Sequence, residues 1–331
     1  MKSTKNKKTL VHPDSDLFRQ GWLSIHVMLT EHCNFKEMGC PCRYCYAPHN
    51  YLKNPTLKQF KIIIERCDSL GVELFYDLSG GNPLSRSDWC SVLRLFGRTG
   101  KQIYVNDNAS LINSVAANKI FKLKEEFPGQ FFWSLSLDDS NEKINNLTRS
   151  HYPEAVQGMK MLKEKGIDYR VAITLTSYNI NTIEKTVKWI VRNLSKKIIV
   201  GVLRPVFPIT SRSKKLFVDL EQVQDVHRRL TKLQQSGLDF EFFHTLRDAD
   251  SRPFCEAGYE RLAIKVNGDI TPCYALQLEK DVLGNIYKLS NKGFCRLVEE
   301  MVSKHKKRDP EILLCEHQEN FWGEPPVRLG K

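Results

Sequence analysis

The sequence predicts an α/β fold, a parallel sheet with helices on its outside, followed by a smaller C-terminal unit. Three observations predict it. Short β-rich runs recur six times up to Leu203, and most are followed by a segment with helical periodicity. Parallel neighbours need a long crossover, which a helix supplies. After about residue 245 the alternation stops and a hairpin signal replaces it. Periodicity leaves two closures open, an incomplete barrel and an open doubly wound sheet. Both place chemistry at the C-terminal ends of the strands.

The strands read as Leu23–Leu29, Glu73–Leu78, Gln102–Val105, Phe131–Leu137, Tyr169–Leu175 and Lys197–Leu203. The helices read as Thr56–Leu70, Ser87–Arg98, Ser110–Phe127, Pro153–Lys165, Ile183–Asn193 and Leu220–Gln235. Ser87 before Asp88, Ser110 and Pro153 carry start signals, and Gly71, Gly100 and Gly166 fall just past helix ends. Leu262–Cys273 reads as a hairpin turning at Asn267-Gly268, with a helix near Lys292–Lys304 after it. The expected division is a basic, flexible segment over 1–21, a core domain over 22–245 and a small α+β domain over 246–331.

At 331 residues, 41% hydrophobic and 27% charged, the chain has the make-up of a folded protein of about two domains, not of a disordered or coiled-coil one. The longest apolar stretch, Ile198–Leu203, is far short of the ~20 residues of a membrane span. The lysine-rich Met1–Lys8 has no apolar segment behind it, so no secretory signal is read and a cytoplasmic location is expected. Ten cysteines are too few and too clustered for a disulfide scaffold, and in a reducing compartment such clusters point to metal. Lys plus Arg exceed Asp plus Glu by 50 to 38, and residues 158–235 alone hold 16 basic against 6 acidic side chains. That segment is either a set of solvated helix faces or a rim that attracts an anionic partner. No aromatic platform is interleaved with it, which weighs against nucleic acid.

Cys33, Cys40, Cys42 and Cys45 follow directly on the first strand. Thiolate-rich loops hold zinc or iron–sulfur clusters. Thr30-Glu31-His32-Cys33-Asn34-Phe35 and Cys42-Arg43-Tyr44-Cys45-Tyr46 resemble the signature of radical S-adenosylmethionine (SAM) enzymes. The resemblance implies a partial (β/α)6 TIM-like barrel and a [4Fe–4S] cluster on Cys33, Cys42 and Cys45, with Cys40 as an alternate. One iron is left to chelate SAM, whose reductive cleavage gives a 5′-deoxyadenosyl radical that abstracts hydrogen from substrate. Eight residues separate Cys33 from Cys42, where the family pattern has three. Asp77–Leu84 resembles the family's Gly-Gly-Glu-Pro segment, with Asn82 in place of Glu. Ser134–Asp139 resembles its Ser-Leu-Asp-Gly strand end. The SAM contacts so implied are Tyr44, Gly80, Gly81, Asn82, Asn106, Ser136, Asp138 and Arg149.

Cys255, Gly268 and Cys273, with the hairpin between and Leu283–Ile286 after, resemble the SPASM/twitch extension of these enzymes. That implies an auxiliary [4Fe–4S] cluster on Cys255, Cys273 and Cys315, with Cys295 or His317 as a further candidate. Cys67 and Cys90 read as packing residues. The expected substrate is a peptide or protein, an anionic one given the basic segment, with a flavodoxin- or ferredoxin-like electron donor. A nucleotide-derived or phosphorylated small molecule is the second substrate reading. A non-catalytic iron–sulfur regulator or nucleic-acid binder is the reading from a different class.

Overall fold

The computed structural model describes residues 21–37, 42–45, 52–203, 215–244, 257–276 and 279–306. The chain runs β1 (Trp22–Thr30), α1 (Asn34–Glu37), α2 (Leu57–Asp68), β2 (Glu73–Gly80), α3 (Trp89–Gly97), β3 (Gln102–Asp107), α4 (Ser114–Glu126), β4 (Phe131–Ser136), α5 (Glu142–Thr148), α6 (Tyr152–Glu164), β5 (Tyr169–Leu175), α7 (Ile183–Asn193), β6 (Lys197–Val202), α8 (Leu220–Gln235), β7 (Glu241–His244), β8 (Arg261–Ile264), β9 (Asp269–Thr271), β10 (Gly284–Asn285) and α9 (Asn291–Lys306). All six expected strands form, within two residues of their predicted bounds. They lie side by side in chain order as parallel neighbours, the mixed α/β architecture that strand–helix alternation predicts.

The sheet is wider than six strands. Among the described residues it has ten, ordered β10-β9-β8-β1-β2-β3-β4-β5-β6-β7. The hairpin β8–β9 forms as expected, and β8 pairs in parallel with β1, Ser24 opposite Arg261. The sheet therefore runs through the boundary expected near residue 245. Gly268 turns the hairpin at φ 88°, a left-handed conformation that glycine adopts at no steric cost.

Strand parity decides what faces where. Leu23, Ile25, Val27 and Leu29 of β1 lie in the main core under the helices, with Leu74, Tyr76 and Leu78 of β2 and Tyr169, Val171, Ile173 and Leu175 of β5. The alternate residues, among them His26, Asp77, Tyr104 and Arg170, therefore line the other, inner face. Burying about a dozen of the outer side chains, at roughly 1.5–3 kcal/mol each, sets the register that aims the inner ones.

One helix start lies several residues from expectation. α4 begins at Ser114, because the Asn113 side chain accepts from Ala116 N at 2.9 Å. Ser110 instead bonds Asn108, through N and Oγ to Oδ1 at 3.0 and 2.7 Å. The short α5, capped by Asn141, is an addition to the predicted elements.

Candidate active site

The loop after β1 is built onto the C-terminal end of the sheet. The Cys33 carbonyl accepts from Lys36 N and Glu37 N, which starts α1 and buries the Cys33 side chain. Arg43 N donates to Thr148 O at 3.0 Å, and Cys45 N to Cys42 O at 3.1 Å, so the second half of the loop rests on the end of α5. None of the three thiols is in a disulfide. Burial pushes the Cys42 thiol up to about 12, against the pull of Arg149, and Cys45 and Cys33 add their charges to the cost. Burial raises Cys33 as well. Thiols that resist ionising alone yet sense one another suit a soft metal centre, where coordination removes the proton. Among the described residues no three His, Cys, Asp or Glu side chains close on a point as a single-ion site. Cys40 lies outside the described residues.

Beside these thiols Asp138 is the hub of a polar knot. It is 1% exposed, at the end of β4. Tyr44 Oη donates to its Oδ2, as does Thr148 Oγ1 at 2.8 Å, and Thr174 N donates to Oδ1 at 2.9 Å. Arg149 Nε pairs with Oδ1 at 3.1 Å. The Arg149 guanidinium lies 5.1 Å over the Tyr44 ring, reaches Thr174 Oγ1 at 3.3 Å, and comes within 4.0 Å of Cys42 Sγ. Both oxygens of Asp138 are thus taken by the protein. It ties Tyr44 of the cysteine loop to Arg149, whose guanidinium is turned toward Cys42.

The glycine pair lets two stretches of backbone approach closely. A Cβ on Gly80 would fall far inside contact distance of Thr30 O, and one on Gly81 inside that of His32 O. Gly81 N donates to Thr30 O at 2.8 Å and Asn82 N to His32 O at 2.7 Å. The close approach is chain on chain, and it fixes the backbone that leads into Cys33. Asn82 is fully buried, with Nδ2 donating to Asn34 Oδ1 at 3.0 Å and Asn108 Oδ1 at 3.2 Å. Its Oδ1 is buried without a hydrogen-bond partner, an open acceptor of the kind an ammonium group would satisfy. Ser136 lies half-buried on the inner face in register with Ala172. Asn106 donates to Asp77 Oδ1, deeper along the strands.

Several inner groups escaped the sequence reading. His26 contacts Ser79 Oγ through Nε2 at 2.6 Å and Asp77 through Nδ1 at 3.3 Å, and its ring stacks on Tyr274. Burial works against the Asp77 charge, but His26, Arg261 and the Asn106 hydrogen bond outweigh it and hold the carboxyl down to about 2. Asp107, buried beside the Leu84 and Ala109 amides, is pushed up to about 6 by burial. His151 adopts φ 61° and stacks on Phe35 at 4.9 Å. Strand parity is the signal that locates His26 and Asp77, and nothing in the local sequence pairs them.

The second cysteine set is split. Cys273 packs with Ala257, Ala275 and Leu276, its sulfur accepting from Ala275 N at 3.4 Å. Cys295 is 1% exposed in the main core, its sulfur 3.4 Å from both Ser69 O and Ser69 Oγ. The structure does not bring these two into one cluster. Cys255, Cys315 and His317 lie outside the described residues. Cys67 is fully buried in the core, and Cys90 accepts from Arg94 at 3.3 Å within its helix.

Residues 27–190 match the Radical SAM superfamily. Streptococcus suis SuiB bound to precursor peptide SuiA superposes with a TM-score of 0.68 at 17% identity, over 86% of this chain and 67% of that one. anSMEcpe with bound S-adenosylmethionine does so at 0.69 and 16%, over 89% and 87%. These likenesses show the fold, a partial barrel of parallel strands. An uncharacterized protein of Methanocaldococcus jannaschii is 24% identical over 302 residues, 87% of this chain and 99% of that protein. An S-adenosylmethionine-dependent nucleotide dehydratase of Selenomonas ruminantium is 25% identical over 88 residues, 27% of this chain and 30% of that protein. Among the described residues no helix is long and apolar enough to cross a membrane.

Proposed function

The chain carries a radical SAM domain, the mark of an enzyme, and on that premise we propose that it modifies a peptide or protein substrate by hydrogen abstraction at the mouth of the half-barrel. One observation carries the reading: the Tyr44–Asp138–Arg149 knot sets a cation against the loop that bears Cys33, Cys42 and Cys45. Those three thiols would hold a [4Fe–4S] cluster, with Cys40 as an alternate. Asn82 Oδ1 would accept from the SAM amino group, and Arg149 would face its carboxylate. When bound, the cluster and SAM together supply reductive cleavage and hydrogen abstraction. The protein's own part is to hold the loop, present the cation, and line the chamber below with His26, Ser79, Tyr104 and Ser136.

SuiB and anSMEcpe, whose structures hold peptides, favour a peptide substrate. The Selenomonas dehydratase favours a nucleotide-derived small molecule as the second reading. An auxiliary cluster on Cys255, Cys273 and Cys315, a C-terminal domain from residue 246, an external electron donor and a cytoplasmic location complete the proposal. The test is anaerobic reconstitution with iron and sulfide, then SAM and dithionite. Release of 5′-deoxyadenosine, lost in Cys45→Ala, is the expected result. Failure of wild-type protein to form a cluster, or equal release by the variant, overturns it. Iron near eight per chain would support the auxiliary cluster, and near four would remove it.

A further inference from the structure

We propose that Arg170, on the inner face of the half-barrel, holds an anionic group of the substrate beside an aromatic shelf made by Tyr104 and Phe132. This rests on the reading above only in taking the barrel interior as the substrate chamber.

The alternate residues of β5 are buried in the core. Tyr169, Val171, Ile173 and Leu175 point into the helix-covered core, which turns Arg170 inward. Its register neighbour on β4 is Ser134, and Tyr104 of β3 lies opposite Phe132 of β4. The guanidinium sits 5.1 Å over the Tyr104 ring, and that ring stacks on Phe132 with centroids 5.1 Å apart and planes at 24°. Phe132 is 39% exposed, an aromatic ring left partly uncovered on the inner face.

Arg170 is half-buried, with Nε wholly covered, yet among the described residues its side chain makes no hydrogen bond and no ion pair. Nε is thus a buried donor left unmet, which is costly, while the unpaired terminal nitrogens stay open to solvent, where a ligand can reach them. Burial lowers its pKa, Asp77 and Tyr104 counter this, and Arg261 adds to it. Asp77, the carboxylate it senses, is already engaged by His26, Asn106 and Arg261. Among the described residues, Asp77 faces two guanidiniums, Arg170 and Arg261, and one carboxylate balances only one of them. A carboxylate or a phosphate fits the vacant fork with two parallel hydrogen bonds. The shelf beside it accepts a flat or apolar portion of the same molecule.

Calorimetric titration of the full chain tests this with two probes, a capped Gly-Glu-Gly tripeptide and phenyl phosphate. Wild type is expected to bind at least one. Binding of the tripeptide marks a peptide carboxylate as the source of the anion, and binding of phenyl phosphate marks a phosphorylated molecule. Arg170→Gln should weaken that binding about tenfold or more, and Arg170→Lys should retain part of it. Arg228→Gln, exposed on α8, should change nothing. Equal binding by Arg170→Gln, or no binding of either probe by wild type at tens of millimolar, overturns the proposal. Should Arg170→Gln fail to fold, phenylglyoxal labelling of wild type decides: slowed modification of Arg170 by the bound probe supports it, and unslowed modification refutes it. No SAM is needed, so a failed 5′-deoxyadenosine assay beside intact Arg170-dependent binding would sink the radical chemistry alone.

Discussion

If Gly81 serves the chain and not a ligand, Gly81→Ala must destabilise the protein with no cluster or SAM present. The added methyl falls inside contact distance of His32 O, and a carbon needs about 3.3 Å from a carbonyl oxygen, so the two segments must part by about 1 Å. That movement strains or breaks the Gly81 N–Thr30 O and Asn82 N–His32 O hydrogen bonds, of 2.8 and 2.7 Å, each worth about 0.5–1.5 kcal/mol. Overpacking against backbone, which cannot rotate away, adds roughly 1–3 kcal/mol. The expected loss is about 2–5 kcal/mol in urea unfolding of apo protein. Gly201→Ala is the internal control. Its methyl would meet only Ile173 O, at 3.9 Å, so it should be neutral or slightly stabilising. Iron uptake should fall with Gly81→Ala, since the shifted backbone leads directly into Cys33. An apo protein as stable as wild type that has lost only SAM affinity would refute the argument and return the glycine to the ligand.

Two further substitutions probe the inner face and the knot. Asp77→Asn should cost about 2–3 kcal/mol at pH 7, from a carboxyl held near 2 against an ordinary 3.8. Because that pKa is depressed, the contribution is present above about pH 4 and is lost as the pH falls through about 2. The gap between variant and wild type in urea titrations should therefore close over that range, and a gap that is absent at pH 7 sinks the assignment. Tyr44→Phe removes one of the donors on Asp138 and should cost about 1.5–3 kcal/mol, read by thermal unfolding and by slower iron uptake. A variant matching wild type in both would show that the knot does not hold the loop.

Much of the fold could be read because outer strand positions advertise themselves. Ile183–Asn193 and Leu220–Gln235 match their predicted bounds, and Tyr169–Leu175 does so on strict apolar alternation. What stayed hidden was set by partners distant in sequence. Ser110 has the chemistry of a helix cap, but Asn108 claims it, and Asn113 caps instead. The four-residue strand β7 is too short to show a period and exists as a strand because β6 offers it an edge, and the β8–β9 hairpin, though legible, gave no sign that β8 would pair with β1.

The same distinction separates the two layers of the candidate site. The motif positions Tyr44, Asp138 and Arg149 were visible one by one, yet the donors on Asp138 come from the cysteine loop, α5 and β5. Only the assembled sheet reveals that both oxygens of the carboxylate are engaged by the protein, which gives Asp138 a positioning role toward Tyr44 and Arg149. Arg170 is the converse case. In sequence it is one basic residue among the 16 of the basic segment, most of them free to be solvated. Parity turns it inward, register sets it over Tyr104, and among the described residues it forms no ion pair with a carboxylate. On the proposal above, a bound anion would repay what the desolvation of that charge costs. The shape of the chamber is thus written in apolar alternation, and its selectivity in the polar residues that alternation leaves behind.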